Sequence, residues 1–194
     1  MAALDWLAGL VLFFELPVPV FWLIFHLLAA TVRPRPRTAY LAAAVTAWTA
    51  GGALLFGLRE HLFASRAAPV GTIVSGLALI AADGYLFFRA ERELGTRRMI
   101  GQAELAGEKR LAAGGIYTRL RHPRYLGMML AVTGACLLAA TLLLWVLVLA
   151  WFGLVAVMLW LEEWELLRRL GAAYADYRRR VPGLLPFRLF PRAD

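Results

Sequence analysis

The sequence predicts an all-α integral membrane protein, and three observations carry that reading. Of 194 residues, 61% are hydrophobic, more apolar sequence than a soluble domain of this size can bury. Several runs approach the roughly 20 apolar residues that cross a bilayer. The basic residues gather between those runs rather than within them, and no strand-like alternation interrupts the pattern.

Five membrane helices follow in order. The first spans about Trp6 to Thr31, with a kink or break at Pro17 and Pro19, where proline removes a backbone donor. Asp5 and the lack of a basic start or a small-residue cleavage site read it as a retained helix, not a secretory signal. The second runs from about Tyr40 to Leu58 and the third from about Val70 to Phe88. The fourth covers about Arg124 to Ala139 and the fifth about Leu142 to Leu170. Only Ala140 and Thr141 stand between the last two, so they form a tight antiparallel hairpin. From Glu162 onward the fifth helix turns charged and leaves the hydrocarbon. The chain reads as one membrane domain over 1–194, with a three-helix part at 1–89 and a loop, hairpin and tail at 90–194.

Charge sets the expected orientation. With the N-terminus outside, only Arg59 and Arg66 of the 21 Lys and Arg face outward, as the positive-inside rule demands. The inward loop from Arg89 to Arg124 is long and polar. Glycines at 95, 101, 107, 114 and 115 punctuate it, which suits short helical pieces joined by turns. The net charge of +8 would suit nucleic acid, but arginines confined between hydrophobic runs point to the bilayer instead. Cys136 has no partner, which excludes disulfides and Cys-ligated zinc. Three well-separated histidines make a metal site improbable. Phosphate-binding glycine loops, His-Glu-x-x-His and serine nucleophile elbows are missing.

Candidate site residues collect at one end of the hairpin. Gly115, Tyr117, Arg121, His122, Pro123, Tyr125, Leu126 and Gly127 lead into the fourth helix. Pro123 suits its first turn, and the free backbone donors there suit a carboxylate or phosphate; a positive-inside flank would also explain them. Glu162 and Glu163 lack a basic residue three or four positions away, the spacing that would neutralise them on a helix. They are therefore expected to need a partner from outside: ribose hydroxyls, an ammonium group or loop arginines. The tail carries Tyr174, Tyr177, Arg178, Arg179 and Arg180, then Pro182, Pro186 and Phe187. Arg178 and Arg179 read as anchors on anionic headgroups. Glu15, His26 and Asp83 lie in apolar helices and are set aside, Asp83 because Arg89 would pair with it.

These residues resemble the isoprenylcysteine carboxyl methyltransferase family, within the wider set of small membrane methyltransferases that includes phosphatidylethanolamine N-methyltransferases. The resemblance covers roughly Leu94 to Phe187. It rests on the order of Leu94-Gly95, Gly115, Tyr117, Arg121-His122-Pro123, Tyr125, Gly127, Glu162-Glu163, Gly171, Tyr174, Tyr177, Arg180-Val181-Pro182 and Leu185-Pro186-Phe187. It implies S-adenosylmethionine held on the cytosolic side by the segment from Gly115 to Gly127 with Glu162 and Glu163. It also implies a lipophilic or amphiphilic acceptor (carboxylate, thiol or amine) entering from the bilayer near Tyr174, Tyr177 and Arg180, with Arg121 and Arg180 in the catalytic positions. A membrane ene-reductase of the sterol-reductase type and a non-catalytic scaffold are the other function classes this pattern allows.

Overall fold

A computed structural model describes residues 3–23, 37–63, 68–95 and 111–185. His26, Arg33, Arg35, Arg66, Pro186, Phe187 and the loop residues 96–110 lie outside them. The regular structure among the described residues is helical, apart from a single isolated antiparallel bridge between Phe63 and Ala140. In chain order the helices are α1 (Ala3–Glu15), α2 (Arg37–Gly57), the single turn α3 (Arg59–Leu62), α4 (Val70–Leu94), α5 (Pro123–Ala139), α6 (Leu142–Leu170) and α7 (Ala172–Arg180). A 3₁₀ turn, Gly115–Thr118, precedes α5. Three helices are long and apolar enough to cross a membrane: Ala3–Leu23, Val70–Leu94 and Leu142–Leu170. Leu41–Gly57 and Pro123–Ala139 are shorter apolar helices. As far as the described residues go, the five expected segments fall on apolar helices; 24–31 of the first lies outside them.

Local chemistry accounts for the boundaries. Helical backbone stops at a turn on Leu16 and resumes over 17–23, because a residue before proline is pushed out of the α region. Pro123 opens α5 as its first helical residue, with the His122 carbonyl accepting from Leu126 N at 3.2 Å. Only Ala140 and Thr141 separate α5 from α6. Thr141 caps α6: its hydroxyl accepts from Leu144 N at 3.4 Å and donates to the His61 carbonyl at 2.7 Å. Helix α4 runs six residues past its expected end, to Leu94, since Arg89 to Glu93 are good helix formers once outside the hydrocarbon.

The chain forms two compact units. One comprises Met1–Ala82 and Met129–Leu159. There, α4 and α5 approach through Gly76 and Gly134, where a Cβ on either would lie 2.8 or 2.6 Å from the other's carbonyl oxygen. Small residues at such crossings let helix backbones touch, the usual source of association where lipid offers no hydrophobic drive. Trp151 Nε1 donates to the Leu16 carbonyl at 3.0 Å, tying α6 to the turn before Pro17. Along α1, Ala8 and Leu12 are buried while Trp6, Leu10 and Phe14 are exposed, a stripe suited to lipid.

The other unit comprises Asp83–Met128 and Trp160–Asp194. Its apolar centre is Tyr174, Tyr177 and Val181, packed by Leu111, Leu166, Leu167 and Leu170. The spacing of the first three places one face of α7 and its exit on α6. Gly171, at φ 57°, makes the sharp turn between α6 and α7, a backbone state that glycine adopts without a Cβ clash.

Candidate functional site

The second unit holds a polar cluster centred on Glu163. Arg121 Nη2 lies 2.7 Å and His122 Nε2 3.0 Å from its Oε1, and Arg178 Nε lies 2.9 Å from its Oε2. The Tyr174 hydroxyl also donates to Oε1, at 3.4 Å. Sequence spacing had left this carboxylate without a nearby cation; the structure supplies two arginines and an imidazole, from positions 42, 15 and 41 residues away. Glu163 is therefore satisfied within the protein, with loop and tail arginines taking the place of an outside partner. A carboxylate this enclosed is tolerable because several charge-assisted bonds replace its hydration.

The segment before α5 is pinned by the tail as well. Arg121 N donates to the Pro182 carbonyl at 2.9 Å and His122 N to the Gly183 carbonyl at 3.2 Å. Arg121 Nη1 donates to the Arg178 carbonyl at 2.9 Å. Its Nε is buried with no hydrogen-bond partner among the described residues. The rings of His122 and Tyr125 meet edge to face, 5.9 Å between centroids.

Glu162 stands differently. It is half-buried and makes no hydrogen bond or ion pair among the described residues. Its charge acts on the hydroxyls of Tyr117 and Tyr174. Burial pushes the Tyr117 hydroxyl well above its ordinary value, and the Glu162 charge adds to the shift. Tyr174 is raised the same way, by burial first and then by Glu163. Both hydroxyls stay protonated, and Tyr174 spends its proton on Glu163. Tyr177 is spent inward: its hydroxyl donates to the Tyr117 carbonyl at 2.7 Å, which fixes the 3₁₀ turn to α7.

Two glycines that the sequence marked for the cofactor face carboxylates. At Gly115, φ 51°, the space of a Cβ is filled by the Glu93 side chain. At Gly127 it is filled by Asp83, which pairs with Arg124 Nη1 at 2.7 Å. The expected partner of Asp83, Arg89, instead lies over the Tyr85 ring at 5.9 Å. Arg124 reaches Asp83 because Gly127 leaves the gap open, and its guanidinium also covers Phe87 at 5.1 Å.

The structure thus brings Arg121, His122, Glu163 and Tyr174 into one cluster, with Tyr117, Tyr177 and Glu162 beside it. Pro123 is buried at the start of α5, and Leu126 is half-buried one turn on. Arg180 is exposed, its Nε donating to the Asp176 carbonyl at 3.3 Å; the tail arginine on Glu163 is Arg178. Sequence reasoning missed Arg178, Glu93 and the pair Asp83–Arg124. All are partners distant in sequence, which helix spacing cannot reveal.

Residues 72–173 match the family model described as phospholipid methyltransferase. That span takes in α4 from its third residue, the 3₁₀ turn, the whole hairpin and, of the cluster, Arg121, His122 and Glu163; Tyr174 and Arg178 follow its end. The chain belongs to the phospholipid methyltransferase family. This is the wider membrane-methyltransferase set to which the motifs around Arg121-His122-Pro123 and Glu162-Glu163 pointed. A stretch of 77 residues is 46% identical to methanethiol S-methyltransferase 2 of Bradyrhizobium diazoefficiens. The match covers 40% of this chain and 29% of that protein. No solved structure matches the chain.

Proposed function

We propose that this protein is an integral membrane methyltransferase that uses S-adenosylmethionine to methylate a small apolar thiol. The carrying observation is the contrast within the acidic doublet. Glu163 is saturated, whereas Glu162 keeps an unspent carboxylate beside Tyr117 and Tyr174. Leaving a half-buried carboxylate unpaired is costly, and a ligand carrying hydroxyls or a cationic centre offsets that cost.

The residues present fit S-adenosylmethionine. Glu162 accepts from ribose hydroxyls or the amino group, and the faces of Tyr117 and Tyr125 suit a sulfonium through cation–π attraction. The buried, unpaired Nε of Arg121 offers a donor to a carboxylate. When bound, the cofactor would supply a sulfonium methyl to an acceptor thiolate, whose proton would pass to solvent, and would leave as S-adenosylhomocysteine. For such a transfer the chain contributes chiefly positioning and exclusion of water.

A thiol acceptor is favoured by the likeness to a methanethiol S-methyltransferase and by the chemistry, since a thiolate is already a strong nucleophile and needs little help from a base. The distribution of arginines supports a site on the cytosolic side and an outward N-terminus.

The test is transfer of isotopically labelled methyl from S-adenosylmethionine by protein purified in detergent. Methanethiol, a prenylcysteine and phosphatidylethanolamine are offered separately. Labelled dimethyl sulfide is expected. Label in the prenylcysteine or the phospholipid, with none in the sulfide, would reassign the acceptor; no transfer and no saturable cofactor binding would overturn the reading altogether.

A further inference from the structure

Arg121, Glu163 and Arg178 form a closed ring. Arg121 Nη2 meets Glu163 Oε1 at 2.7 Å, Glu163 Oε2 meets Arg178 Nε at 2.9 Å, and the Arg178 carbonyl accepts from Arg121 Nη1 at 2.9 Å. Three separate pieces of chain are joined by it: the segment before α5, the charged end of α6, and α7. Two backbone bonds, from Arg121 N and His122 N to Pro182 and Gly183, extend the join beyond α7.

We propose that Arg178 is a positioning residue for the cofactor, acting through this ring rather than by touching the ligand. The inference rests on the reading of Glu162 as a cofactor carboxylate. An arginine at the surface ordinarily contributes little through a single ion pair. Arg178 differs because it is held at both its side chain and its carbonyl, so freeing it loosens two sides of the ring. Glu162 directly precedes Glu163 on α6, and Tyr174 stands one helical turn before Arg178 on α7. Both members of the candidate cofactor wall are thereby fixed relative to Arg121. Arg179 is the natural control. It neighbours Arg178, is more exposed, and pairs with Asp176 on its own helix.

The experiment is calorimetric titration of detergent-purified protein with S-adenosylmethionine, followed by steady-state kinetics with methanethiol. Arg178→Ala is expected to weaken cofactor binding about tenfold, the scale of one strong charge-assisted bond. The cofactor KM rises with it while kcat and the thiol KM hold. Arg178→Lys recovers most of the affinity, and Arg179→Ala leaves it unchanged. A purely structural role would lower the yield of folded protein without moving the affinity of the folded fraction. Should Arg178→Ala fail to accumulate, Arg178→Lys against Glu163→Gln gives the same comparison, with the lysine variant binding more tightly. Wild-type binding with Arg178→Ala unchanged within about twofold, or an equal loss in Arg179→Ala, overturns this proposal alone. Absence of cofactor binding by the wild type overturns the methyltransferase reading and this proposal with it.

Discussion

Glycine serves opposite ends in the two units. In the first, Gly76 and Gly134 let two helix backbones approach until each carbonyl occupies the place of the other's missing Cβ. In the second, Gly115 and Gly127 make way for carboxylates, Glu93 and Asp83. The first arrangement joins apolar rods where water supplies no hydrophobic drive. The second admits charge into confined space, which is costly unless the charge is paired or used. One unit therefore reads as packing and the other as electrostatics, and substitutions in the two should fail in different ways.

The largest effect is expected at Glu163. Glu163→Ala strands Arg121, whose side chain is only 12% exposed, and costs about 3 kcal/mol, the scale of breaking a buried pair from one side. Thermal unfolding in detergent should show a large drop, with cofactor binding abolished. Next comes Gly134→Ala. Its new Cβ would meet the Gly76 carbonyl, costing about 2 kcal/mol of overpacking, yet cofactor affinity in calorimetry should not move; if it does, the separation of roles between the units is wrong.

Glu162→Gln reverses that pattern. The unfolding temperature should stay at the wild-type value, because no partner within the described residues is lost. Cofactor affinity should fall about tenfold, through loss of one hydrogen bond to a charged group. Equal destabilisation by Glu162→Gln and Glu163→Gln would erase the distinction drawn within the doublet.

The smallest effect is at Tyr177. Tyr177→Phe removes the bond to the Tyr117 carbonyl and costs about 1 kcal/mol. Burial raises this hydroxyl, Arg121 opposes the shift and Glu163 adds to it, and the value reaches about 12. The folded state thus favours the protonated hydroxyl, against an unfolded value of about 10. Its contribution is complete below pH 10 and is lost as pH rises toward 12. Denaturant titrations should show a constant gap between wild type and Tyr177→Phe up to about pH 10, narrowing above it.

Much of this architecture was legible in the sequence because it is encoded locally. The body of α6 follows from an apolar run up to Leu161, the start of α5 from Pro123, and the tight hairpin from the brevity of Ala140-Thr141. The meeting of Arg121 and His122 with Glu163 was legible too, because a tight hairpin returns the far ends of its two arms to the same side. What lay hidden were pairings across the chain. Helix spacing tests positions three or four apart, whereas Glu163 draws on Arg121 and His122, and Asp83 on Arg124. The sequence accordingly treated Glu162 and Glu163 alike and assigned Arg178 to the lipid surface. Only the fold shows that one carboxylate is consumed and its neighbour left over.

Gly171 carries a final consequence. As the lone residue between α6 and α7, it sets the rotational phase of everything beyond it. Each helical residue turns the chain by about 100°, so one inserted alanine there would swing Tyr174, Tyr177 and Arg178 together away from their partners. The tail tolerates change in what its outward side chains are, but its count from that pivot is fixed.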